Sequence, residues 1–156
     1  MNAVVPPLSS LLDLLPEPPA GAGTHVRAPS SAAPGIVAKL AAEAGSLTFV
    51  ITATGADAEG LASALSAYIP AEHVALFPSW ETLPHERLSP RSDTVAQRLA
   101  TLRRIKHPAD AAAETGLAAP RVVVAPLRAA LQPLAPGIAD LQPVRLQVGD
   151  NVDLTE

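Results

Sequence analysis

The side chains best able to do acid–base or metal chemistry crowd into one stretch of the 156-residue chain, Phe77 to Lys106, FPSWETLPHERLSPRSDTVAQRLATLRRIK. Within it Glu81, His85, Glu86 and Asp93 form the one cluster where a general acid and base could converge. Their spacing argues against that use. His85 and Glu86 are adjacent, but no second histidine completes the H-E-x-x-H pattern of a zinc protease, and His25, His73, His85 and His107 share no ligand-like spacing. The chain has no cysteine, so thiolate nucleophiles, disulfides and Cys-based zinc sites are excluded. A histidine beside a glutamate in a Pro-punctuated loop is ordinarily solvated or capping. Ser92 or Asp93 reads as the N-cap of the helix that follows.

That helix, from Asp93 to Lys106, carries Val95, Leu99, Leu102 and Ile105 at helical spacing, the expected core stripe. Arg98, Arg103, Arg104 and Lys106 load its middle and end. They would form either a phosphate-facing patch or a set of cations at the negative end of the helix. Without aromatic residues interleaved among them, the second reading is favoured.

Two strand-to-helix turns occupy positions where parallel α/β proteins bind ligands. The first, APSSAAPG, has the place of a phosphate-binding P-loop but not its residues. Gly35 precedes Ile36 rather than lysine, and the nearest lysine, Lys39, comes a turn too late. Ser30, Ser31 and Gly35 leave at most a bare helix N-terminus for an anion. The second turn, Thr52-Ala53-Thr54-Gly55, lacks G-x-G-x-x-G and reads as a tight turn with a threonine cap.

The elements that must position these residues alternate. Strands are expected at 24–27, 47–53, 73–77 and 121–125, with helices at 34–44, 55–68, 93–106 and near 127–131. Residues 107–120 read as a polar, Ala-rich connection. This is an α/β pattern with a mostly parallel sheet, and LTFVITA has the near-continuous apolar run of a strand buried on both faces. Aromatics are only 3% of a chain that is 48% apolar, so the core is one of Ala, Val, Leu and Ile. Residues 1–23, with PEPPAGAG and a short helix at 9–15, read as a Pro-rich arm, and 24–136 as the α/β domain. From Gly137, LQPVRLQVGDNVDL alternates apolar and polar residues, the start of a second α+β domain over 137–156. A net charge of −4 does not suggest a stand-alone nucleic-acid binder. The N-terminus lacks the regions of a signal peptide, and no segment has the ~18 apolar residues of a membrane span. A soluble, cytoplasmic protein without membrane partners is the expectation.

The string from Phe77 to Ile105 resembles the N-terminal module of the bacterial transcription-repair coupling factors, which is itself similar to the excision-repair subunit UvrB. W-E-T-L-P followed by S-P and then S-D-x-x-x-x-R-L carries the resemblance, through Trp80, Glu81, Leu83, Pro84, Glu86, Ser89, Pro90, Asp93 and Arg98. Weaker agreement runs from about Thr24 to Leu134, including VITATG and RVVVAPLRAALQPL. The resemblance implies a RecA-like domain, called 1a in UvrB, with a degenerate P-loop. The segment from Gly137 would open the domain that contacts UvrA. Members of the family are ATP-driven translocases on double-stranded DNA that displace stalled RNA polymerase and recruit UvrA for nucleotide excision repair. Their ATP and magnesium sites find no matching residue here, so this piece is expected to be a non-catalytic scaffold without a cofactor of its own. The alternatives are a stand-alone protein-interaction adaptor, or a small α/β protein binding a nucleotide-like ligand near Ser30 and Thr54. A structural role is expected for Trp80, pinning the Pro-rich loop at an interface with neighbouring domains.

Overall fold

The computed structural model describes residues 26–81 and 89–142. Those residues form three parallel strands flanked by five α-helices. In chain order they are α1 (Ala33–Ala44), β1 (Thr48–Thr52), α2 (Gly55–Leu65), β2 (Val74–Leu76), α3 (Ser92–Lys106), α4 (Pro108–Thr115), β3 (Val122–Pro126) and α5 (Leu127–Leu131). The α/β class with a parallel sheet is as expected.

Local chemistry explains most boundaries. Pro34 sits in the first turn of α1, where its missing N–H costs nothing, and Gly45 ends the helix in a left-handed conformation (φ 61°). Thr54 opens α2 with a capping box: its hydroxyl accepts from Asp57 N–H at 3.1 Å, and Asp57 Oδ2 accepts from Thr54 N–H at 3.2 Å.

The strand order is β1-β3-β2, with Val50 and Leu76 both aligned on Val124. The last strand in sequence is therefore the central one, and all five of its residues are buried. Its side chains alternate between two cores. Val122 and Val124 face Ala38 and Ala41 of α1, Ala58 and Leu65 of α2, and Ile69. Val123 and Ala125 face Ala75, Phe77, Ala129 and the partly buried Leu102. Burying each valine contributes about 1.5–3 kcal/mol. Alanines line the helices where they cross the sheet, which lets the layers approach closely.

The structure corrects several expectations. Val26 and Arg27 are not in a strand; Val26 is exposed, and Pro29 instead starts the 3₁₀ turn Ser30–Ala32. β1 is not buried on both faces, because it lies at the sheet's edge and Phe49 and Ile51 remain about half exposed (48% and 51%). The connection at 107–120 contains α4, with Pro108 in its first turn and Gly116 as its left-handed stop (φ 73°). The helix at 93–106 begins one residue earlier, at Ser92, with Arg91 in the N-cap position rather than Ser92 or Asp93. Its core stripe is also different, as described below. The arm at 1–23 and residues 143–156 of the alternating segment lie outside the described residues.

Candidate functional site: the arginine-bearing helix and its loop

α3 turns Thr94, Arg98, Thr101, Arg103 and Arg104 inward, while Ile105 is 39% exposed and Val95, Leu99 and Leu102 are only partly covered. Polar side chains, not the expected apolar stripe, face the body of the protein. The sheet that α3 covers explains why. β2 is three residues long, so the chain on either side of it offers backbone carbonyls that need donors.

Arg98 serves the end of β2. Its side chain is fully buried (0% exposed), and its Nη1 donates to Pro78 O at 2.6 Å. The guanidinium lies between two aromatic faces, 4.1 Å from the Phe77 ring centre and 4.3 Å from that of Trp80. Gln132, just past α5, completes the arrangement. Its Oε1 accepts from Trp80 N–H at 2.8 Å and from Arg98 Nη1 at 3.4 Å, and its Nε2 donates to Trp80 O at 3.4 Å. Burial away from water pushes the Arg98 pKa down. Its Nε and Nη2 find no acceptor among the described residues.

Arg104 serves the other end. Its Nε and Nη2 donate to Ala118 O at 3.0 and 2.7 Å, and Nη2 also reaches Glu72 O. One side chain thus gathers the approaches to β2 and β3. Arg103 instead forms a two-pronged pair with Glu114 of α4, Nε to Oε2 at 2.7 Å and Nη2 to Oε1 at 2.5 Å. That pair raises the Arg103 pKa. Neither a phosphate-facing patch nor simple helix-end cations describes these three residues. They are internal struts.

The remaining candidates fall around the start of α3. Glu81 accepts from the Thr94 hydroxyl and, at 3.4 Å, from Arg91 N–H, so a carboxylate from the preceding loop sits at the helix's positive end. The Thr94 bond leads the effects that hold its carboxyl below the ordinary glutamate range. Asp93 pairs with Arg91 (3.1 Å), and both are exposed. Ser89 and Pro90 lie in chain without regular secondary structure before α3. Leu83, Pro84, His85 and Glu86 lie outside the described residues.

Beside this helix start, beyond the carboxyl ends of β2 and β3, is a cleft of about 340 Å³. Glu59, Glu81, Arg91 and Asp93 are its charged lining residues. Three carboxylates against one cation make a poor receptor for phosphate. Among the described residues no group of three or more His, Asp or Glu could hold a metal ion. Ser30 and Ser31 are exposed on the turn before α1, and Gly35 is buried within the first turn of that helix.

Comparison with known proteins agrees with the motif. No family model matches the chain. The chain is 49% identical over 115 residues, 74% of its length, to the transcription-repair-coupling factors of Mycobacterium bovis and Mycobacterium tuberculosis. This chain is a relative of the transcription-repair-coupling factors. It spans about 9% of the length of those two proteins.

Among the residues the motif brought forward, the structure joins Trp80 to Arg98 and Glu81 to the start of α3. Phe77, Thr94 and Gln132 belong to the site without a signal of their own in the sequence pattern. Aromatic partners for the arginines were sought within the helix, whereas Phe77 and Trp80 come from the loop ahead of it. Gln132 carries no local signal, since it meets Trp80 across 52 positions of sequence.

Proposed function

We propose that this chain is the front module of a transcription-repair coupling factor, acting as a non-catalytic scaffold of its repair half. The observation that carries the reading is the 49% identity through the Trp80–Arg98 region to two proteins of that name. In this reading the α/β unit is a RecA-like domain whose P-loop position has lost its function. Ser30 and Ser31 stand on an exposed turn, and Gly35 is already inside α1. ATP and magnesium would be handled elsewhere in the parent protein. So would displacement of RNA polymerase and travel along double-stranded DNA. The segment from Gly137 would open the domain that recruits UvrA in nucleotide excision repair, in the cytoplasm.

The inward-turned arginines support the scaffold role. Arg98, Arg103 and Arg104 are held by carbonyls, rings and Glu114, so they are not available to nucleic-acid phosphate. No helix among the described residues is long and apolar enough to cross a membrane.

The test uses the parent polypeptide with and without residues 1–136. Removal should leave DNA-stimulated ATP hydrolysis in place and weaken UvrA capture through loss of the supporting scaffold, and calorimetric titration of the chain with ATP should be flat. Loss of hydrolysis on removal, or saturable ATP binding by the chain, would contradict the proposal.

A further inference from the structure

The last turn of α3 meets the short 3₁₀ turn that follows α5. Lys106 Nζ and His107 Nε2 each lie 2.7 Å from a different oxygen of Asp140, and Arg103 Nη1 approaches Leu141 O at 3.5 Å. Asp140 closes a 3₁₀ turn, Ile138–Asp140, that begins at the left-handed Gly137 (φ 78°). The turn returns Ile138 N–H to Ala135 O at 3.2 Å and Asp140 N–H to Gly137 O at 2.9 Å. None of its residues is fully buried, and Leu141 is 58% exposed. Polar contacts from one helix end add to the partial burial of Ile138 and Ala139 in holding this segment.

A carboxylate beside the C-terminus of a helix is disfavoured by the helix dipole unless cations intervene. Arg103 and Lys106 supply them here, and the His107 ring lies within hydrogen-bond reach of the same carboxylate. Asp110 and Glu114 of α4 are the nearby acids, and Glu114 is already committed to Arg103. Because Lys106 and His107 take different oxygens, they fix the orientation of the Asp140 carboxylate as well as its distance.

We propose that the end of α3 is an ionic latch: Lys106 and His107 grip Asp140 and hold the 3₁₀ turn Ile138–Asp140 against the helix. Salt or loss of the carboxylate opens it. The contacts are partly exposed, with side-chain exposures of 52%, 33% and 46% for Lys106, His107 and Asp140. They are therefore within reach of screening, whose length falls from about 10 Å at 0.1 M salt to about 3 Å at 1 M. This inference rests on geometry and does not depend on the functional reading above.

Hydrogen exchange on the intact protein, read by mass spectrometry, tests it in the native chain, Asp140→Asn and Lys106→Met. At low salt the peptide spanning 134–142 should exchange roughly three- to tenfold faster in both variants. Peptides from β3 should be unchanged, and high salt should bring the native chain to the variants' rate. Equal exchange in all three proteins at low salt would overturn the proposal, as would a native rate indifferent to salt. Should Asp140→Asn also loosen β3, Lys106→Met decides. A rise confined to 134–142 supports the latch, and no rise overturns it.

Discussion

Replacing Arg98 separates what its charge contributes from what its volume contributes. Two aromatic faces lie 4.1 and 4.3 Å from the guanidinium, each contributing about 0.5–2 kcal/mol when desolvated. The bond to Pro78 O adds about 1.5–3 kcal/mol, as charged donors do. Against these stand Nε and Nη2, buried without acceptors among the described residues and costing about 1–3 kcal/mol each. The polar gains and costs nearly cancel, which leaves the side chain's volume as the main surplus. Arg98→Met, which keeps the volume and drops both charge terms, should therefore fall within about 2 kcal/mol of the native protein. Arg98→Ala opens a cavity under both rings and should lose about 3–5 kcal/mol. Arg98→Lys keeps a charge but not a planar ion that can face two rings, and should lose about 2–4 kcal/mol. Urea unfolding followed by the fluorescence of Trp80, the sole tryptophan, reads all three. A methionine variant as unstable as the alanine one would refute the reasoning, since the guanidinium itself would then hold the loop.

Other substitutions probe single contacts. Arg104→Lys cannot reach both Ala118 O and Glu72 O, and should cost about 1.5–3 kcal/mol in the same urea assay. Thr54→Ala removes the capping box of α2 and should lower the unfolding midpoint by about 1 kcal/mol equivalent, with the denaturant slope unchanged. Glu81→Gln should show a pH signature. The Glu81 carboxyl is held below its ordinary value, chiefly by Thr94, so its contribution is full above the unfolded pKa of about 4.3 and is lost as pH falls through the lower folded value. The gap in urea midpoint between native and Glu81→Gln protein should be widest near neutral pH and close in acid; a gap that persists in acid would count against the assignment.

Much of the fold was legible because its signals are local. Pro34 and Gly45 bracket α1, Thr54 with Asp57 opens α2, and the unbroken run Val122–Val124 marks the central strand. Pro108 and Gly116 bracket α4 in the same way, yet the intervening PADAAAET has too little apolar content to stand out as a helix. Burial was harder to read, since it depends on strand order. Leu47–Ala53 and Arg121–Ala125 look alike in sequence, but only the second runs through the middle of the sheet. α3 misled for a related reason. Helical spacing locates the apolar residues correctly, but periodicity cannot show that a neighbouring three-residue strand leaves carbonyls to be satisfied. Arginine reaches them with a stem long enough to bury and a fork that serves more than one acceptor. The Trp80–Arg98 pair was legible only as a family string, not as a contact.

The direction in which these arginines point changes how the chain's charge should be counted. By composition it carries 11 basic and 15 acidic residues. Three of those basic residues, Arg98, Arg103 and Arg104, are buried in α3, one paired with Glu114 and two held by carbonyls and rings. Their burial leaves the net charge at −4 but keeps these guanidiniums from a partner's phosphates, so the field that remains opposes the approach of nucleic acid. Lys106 is drawn onto Asp140 and Arg91 onto Asp93, so neither stands as an isolated cation. Apolar surface, by contrast, is available. Phe49 and Ile51 on the edge strand are about half exposed, and Leu131 at the end of α5 is 75% exposed. A net negative charge and half-exposed apolar side chains on the edge strand of the described sheet favour contact with protein over contact with DNA.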